Sequence, residues 1–93
     1  MEEKPVVRAV VQIFDEEYVV KGGSSVEEIE RIAEYVDRRM RQVAGRNPRL
    51  SRADVAVLAA LNITEELFKL KEEYREMVQM LEEGEKKGEA AGR

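Results

Sequence analysis

The chain has 93 residues, of which 20 are acidic and 16 basic, giving a formal charge of −4 at neutral pH; 43% of it is hydrophobic. That length allows one small domain and an extension, with too modest an interior to do without stabilisation from a partner surface. Cysteine and histidine are both absent, which excludes disulfides, thiolate zinc sites and the usual nucleophile–base pairs, and predicts a protein that is not an enzyme and uses no metal or cofactor.

The charged fraction of 39% mixes both signs, so it reads as solubility and not as a nucleic-acid footprint. The start of the chain, Met1-Glu2-Glu3-Lys4-Pro5, carries no apolar signal core, and every apolar run is too short to cross a bilayer. A soluble cytoplasmic protein without a membrane partner is expected.

Residues 6–14 are rich in Val and Ile, and their alternation puts Val7, Ala9, Val11 and Ile13 on one strand face with Arg8 and Gln12 on the other. Asp15-Glu16-Glu17 reads as a polar turn, after which Tyr18-Val19-Val20-Lys21 resumes a strand that Gly22-Gly23 ends. A hairpin is predicted. Alone it is marginal in water, so its apolar face must rest on a helix.

Ser25 precedes Glu28 by three positions, the spacing of a capping box, and Val26, Ile29, Ile32, Ala33, Val36, Met40 and Val43 then recur at helical intervals. The outer face pairs Glu27 with Arg31 and Glu34 with Arg38, each acid four residues ahead of its base. Gly45 stands where a left-handed residue would stop this first helix.

After the loop Arg46-Asn47-Pro48-Arg49-Leu50, Ser51 and Asp54 resemble a second cap, opening a helix predicted to run to about Glu83. At 1.5 Å per residue it would be on the order of 48 Å long, so it is expected to project from the rest of the domain. Ala56, Ala60, Ile63, Leu67, Leu70, Tyr74, Met77 and Leu81 follow the four–three alternation of a coiled coil. A second stripe, Leu58, Leu61 and Phe68, makes the first half of the helix apolar around most of its circumference. Such a helix needs two burial environments, one supplied by its own domain and one by another chain.

The predicted organisation is therefore an α+β head over residues 1–66, a coiled-coil extension over 67–83 and a disordered tail over 84–93, with the protein dimeric. Leu58, Leu61, Ile63, Leu67, Leu70, Tyr74, Met77 and Leu81 are the expected self-association residues.

Four elements in this order, Gln12-Ile13-Phe14, the strand Tyr18-Val19-Val20, the loop Asn47-Pro48-Arg49-Leu50-Ser51 and the run Val57-Leu58-Ala59-Ala60-Leu61-Asn62-Ile63, resemble the ZapA family of bacterial cell-division proteins. The likeness covers residues 6–81. It implies a head domain with a C-terminal coiled coil, assembled as dimers and sometimes tetramers. It also implies binding to FtsZ, the tubulin-like division GTPase, with cross-linking of its protofilaments and support of the Z-ring at mid-cell; bundling is then expected to limit subunit turnover and so slow GTP hydrolysis by the partner. The wholly acidic hairpin turn and the short coil depart from the family pattern.

Partner contact is expected at the hairpin turn and the start of the second helix, at Asp15, Glu16, Arg49, Arg52 and Asp54. The acidic triplet also reads as a solvated turn, and Arg46, Arg49 and Arg52 as ordinary surface charge. Asn62 reads as a side chain satisfying nearby backbone groups, or as a polar specificity device at an interface. The pairs Glu27-Glu28, Glu65-Glu66 and Glu72-Glu73 diverge by about 100° on a helix, so they do not converge on one substrate or cation. The rival function is a dimeric ribbon-helix-helix regulator, which reads DNA from a strand face; only Arg8 and Gln12 would serve here, and two strands precede the first helix.

Overall fold

The structure, a computed structural model, describes residues 6–23 and 25–91. In chain order it contains β1 (Val7–Ile13), β2 (Glu16–Gly22), α1 (Val26–Arg46) and α2 (Arg52–Ala91). Two compact units divide the chain, Met1–Leu61 and Asn62–Arg93. The α+β class, hairpin first and long helix last, is as the sequence predicts.

In the first unit β1 and β2 form an antiparallel hairpin whose register runs from Val7 opposite Gly22 to Ile13 opposite Glu16. Val7, Ala9, Val11 and Ile13 turn inward as predicted, with Ala9 and Val11 buried. The turn is one step earlier than expected. Phe14 and Asp15 occupy it, with φ of 50° and 67°, while Glu16 and Glu17 belong to β2. Two central residues with positive φ make a type I′ turn, the kind whose twist matches that of the flanking strands. The polar triplet misled because the side chains at 16 and 17 are polar strand residues, whereas the aromatic at 14 bends.

α1 packs on β1. Ile29 and Ala33 join Ala9 and Val11 in one cluster, and Met40 and Val43 join Val55 and Ala59 in a second; Ile13 packs against both and ties them together. Val26 and Ile32, at the flanks of the inward stripe, remain exposed. Ser25 caps α1 by accepting the Glu28 N–H at 3.1 Å, and Ser51 accepts that of Asp54 at 3.1 Å, so both predicted N-caps are present.

Gly45 does not stop α1. The helix runs through it to Arg46, and Asn47 ends it with φ of −142°, its N–H still bonded to the Val43 carbonyl at 3.2 Å. Pro48 supplies the reason, because the ring of a proline disfavours helical geometry in the residue before it. On the surface Arg31 pairs with Glu28 at 2.6 Å, three residues away, in place of the expected Glu27.

Within the first unit, α2 buries Val55 and Ala59, each 1% exposed, and leaves Val57, Leu58 and Leu61 open. In the second unit Leu67, Phe68, Leu70, Tyr74, Met77, Met80 and Leu81 are likewise exposed, and Glu65–Lys69 and Glu72–Arg75 pair along the helix. The helix extends to Ala91, beyond the expected stop near Glu83. Gly84 weakens a helix by only about 1 kcal/mol, and no proline follows to end it. The rest of the expected tail, residues 92–93, lies outside the described residues.

Candidate functional site

Among the described residues, the hairpin tip gathers a connected set of polar contacts. Asp37 on α1 accepts the Phe14 N–H through one carboxylate oxygen at 2.7 Å and the Arg41 Nε–H through the other at 2.9 Å. Arg41 also donates to Asp15 at 2.9 Å. From the first turn of α2, Arg52 donates to the Ile13 carbonyl at 3.0 Å and pairs with Glu16 at 3.4 Å. Both guanidinium groups lie over the Phe14 ring, Arg52 at 5.0 Å and Arg41 at 5.9 Å from its centroid. Tyr18 completes the set by donating its hydroxyl proton to Glu16 at 2.9 Å.

The cause is local. A two-residue turn needs left-handed backbone at Phe14 and Asp15, which costs L-residues roughly 1–2 kcal/mol each, less for Asp. Three groups from two helices hold it there. The Arg41 hydrogen bond, then the Phe14 N–H, keep the Asp37 carboxyl below its ordinary value of 3.8, and the same carboxylate with Asp15 raises Arg41 further.

Of the predicted contact residues, Asp15, Glu16 and Arg52 are brought together in this clamp. Arg49 lies outside it in the loop, its N–H bonded to the Asn47 side chain at 3.4 Å, and Asp54 lies outside it in the first turn of α2. Phe14, Tyr18, Asp37 and Arg41 were not foreseen. Asp37 and Arg41 did carry a signal, an acid four residues ahead of a base, the same spacing that singled out the less consequential Glu34 and Arg38.

Beside the clamp lies an open apolar cleft of about 670 Å³, lined among others by Ile13, Tyr18, Val20, Met40, Ala53 and Ala56. β2 contributes Tyr18 and Val20 to its lining, and the start of α2 contributes Ala53 and Ala56. Among the described residues no group of three or more Asp or Glu is placed to hold a metal ion, and no helix is long and apolar enough to cross a membrane.

These features define a class: a small α+β protein with a clamped hairpin and a long helix that leaves many of its apolar side chains exposed. The sequence profile described as cell division protein ZapA matches residues 10–91. A cell division protein ZapA of Geobacillus sp. (strain WCH70) is 38% identical over 81 residues, spanning 87% of this chain and 93% of that one. Another, of Geobacillus thermodenitrificans (strain NG80-2), is 39% identical over 89 residues, spanning 96% and 97%. Among solved structures, a ZapA mutant dimer from Geobacillus stearothermophilus matches with a TM-score of 0.69 and 35% identity, covering 88% of this chain and 95% of that chain. An unknown conserved bacterial protein from Pseudomonas aeruginosa PAO1 matches with a TM-score of 0.67 and 32% identity, covering 82% of this chain and 85% of that chain. The chain belongs to the ZapA family of cell division proteins.

Proposed function

We propose that the protein is a non-enzymatic homodimeric adaptor that binds FtsZ filaments in the cytoplasm and cross-links them at the mid-cell division site. The observation that carries the reading is the exposed apolar surface of α2, from Val57 and Leu58 through Leu61 and on to Leu67, Phe68 and Leu70, in a chain of this family. A stripe of that extent is stabilised by a second copy. A symmetric dimer then offers the same head twice, and two modest contacts bridge two filaments through effective concentration.

The head surface around the hairpin tip and the α1–α2 loop, including Asp15, Glu16, Arg49, Arg52 and Asp54, is where we place filament contact. Bundling holds subunits in the lattice and so slows GTP turnover by the partner, with no chemistry performed here. Sedimentation of FtsZ filaments with this protein tests the reading. Co-pelleting and bundling at micromolar concentration are expected; filaments that pellet without it remove the function.

A further inference from the structure

Between Asp37 and Asp54 the chain carries arginines at 38, 39, 41, 46, 49 and 52 and no acidic residue, although its overall charge is −4. The structure divides them. Arg41 is spent on Asp37 and Asp15, and Arg52 on Glu16 and the Ile13 carbonyl. Arg39 donates to the Tyr35 hydroxyl and the Gln42 side chain and lies over the Tyr35 ring. Arg38, Arg46 and Arg49 are exposed, and among the described residues none of the three guanidinium groups meets a carboxylate.

These three exposed arginines follow one another from the outer face of α1 into the loop after it. Arg38 lies opposite the line of Ala33, Met40 and Val43 that faces the core, and eight helical residues place Arg46 roughly 12 Å further along α1 and about 80° round, on the flank next to Val43. Arg49 follows in the loop, which the Leu50 N–H folds back onto the Asn47 carbonyl at 3.2 Å. A guanidinium left without an acid in an otherwise acidic protein is a ready fork for carboxylates supplied from outside.

We propose that Arg38, Arg46 and Arg49 form a docking surface for an acidic peptide segment of the partner filament, which rests on the filament-binding reading above. The same geometry explains why the hairpin carboxylates do not repel such a partner: Arg41 and Arg52 already pair with Asp15 and Glu16. A nucleic acid is disfavoured, because three arginines make a short footprint and the remaining charge of the chain opposes a long polyanion.

The test uses a fluorescein-labelled oligoglutamate peptide, followed by anisotropy at low and at physiological salt, with the full-length protein. Wild type is expected to bind, more weakly as salt rises. Joint replacement Arg38→Gln, Arg46→Gln and Arg49→Gln weakens binding about tenfold or more, with unchanged circular dichroism and unchanged mass, while the corresponding lysine triple, which keeps the charge but not the fork, falls between the two. A glutamine triple that binds the peptide like wild type overturns the proposal. So does a labelled oligonucleotide that binds more tightly than the peptide through the same arginines. Co-pelleting with FtsZ separates the two readings: wild type and triple pelleting equally sinks this surface and leaves filament binding, whereas peptide binding without any pelleting sinks filament binding and leaves the surface.

Discussion

Asp37 reaches from α1 across 23 residues of chain to accept the Phe14 N–H at 2.7 Å, with Arg41 held on its other oxygen. One carboxylate thus fastens a turn whose backbone would not choose its own conformation. Hydrogen bonds to charged groups contribute about 1.5–3 kcal/mol, and the partial exposure of Asp37 puts it at the lower end, so Asp37→Ala is expected to cost about 1.5 kcal/mol. A urea titration checks this, through a lower midpoint at unchanged slope. An unmoved midpoint would show that the turn holds without α1.

The same carboxylate sets an acid limit. Arg41 and the Phe14 N–H hold its folded-state value below 3.8, the value it regains on unfolding. Between the two values the unfolded chain binds the proton, so this stabilisation is complete above the unfolded value and is lost as pH falls through the folded one. The stability gap between wild type and Asp37→Asn should therefore be constant above about pH 5 and shrink below about pH 4. Urea midpoints across that range test it, and a gap constant down to about pH 2 contradicts the assignment.

Phe14 separates backbone from side chain. Replacing it with alanine or with glycine removes the ring that Arg41 and Arg52 lie over in either case, but only alanine keeps a Cβ at φ 50°. Phe14→Gly should therefore be more stable than Phe14→Ala by about 1 kcal/mol, offset in part by the freedom glycine adds to the unfolded chain. Thermal melts of the two variants decide it. Alanine proving the more stable would mean that the turn is not left-handed in solution.

How far the sequence reveals this molecule depends on the range of the interaction concerned. Ser25 and Ser51 were legible as caps because each acts on a residue three positions away, and Val7, Ala9, Val11 and Ile13 because a strand alternates strictly. The stop of α1 is ambiguous in the sequence because glycine and proline give competing signals three residues apart, and the proline at 48 governs. The clamp was half hidden. Asp15, Glu16 and Arg52 stood out as charged groups at predicted loops and caps, but nothing local says that Asp37 meets Phe14 or that Arg52 lies over its ring; those contacts exist only once the hairpin rests on α1. Val55 and Ala59 were hidden for a related reason: with apolar residues on nearly every side of α2, periodicity cannot say which line the head covers.

That ambiguity yields the last prediction. The head covers Val55 and Ala59, while Leu61 and Phe68 stand 59% and 64% exposed in the single chain. Residues that contribute little to the fold of one protomer but sit on a broad apolar stripe should act mainly on association. Burying one such side chain is worth about 1.5–3 kcal/mol, so Leu61→Glu combined with Phe68→Glu should raise the dimer dissociation constant by a factor of about 100 or more. Arg31→Glu, on the outer side of α1 beside Glu28, serves as the control and should leave the mass unchanged. Light scattering across a dilution series reads both. If wild type keeps the mass of one chain at every concentration while its far-ultraviolet dichroism remains helical, the open stripe is covered by something other than a second copy and the homodimer is wrong.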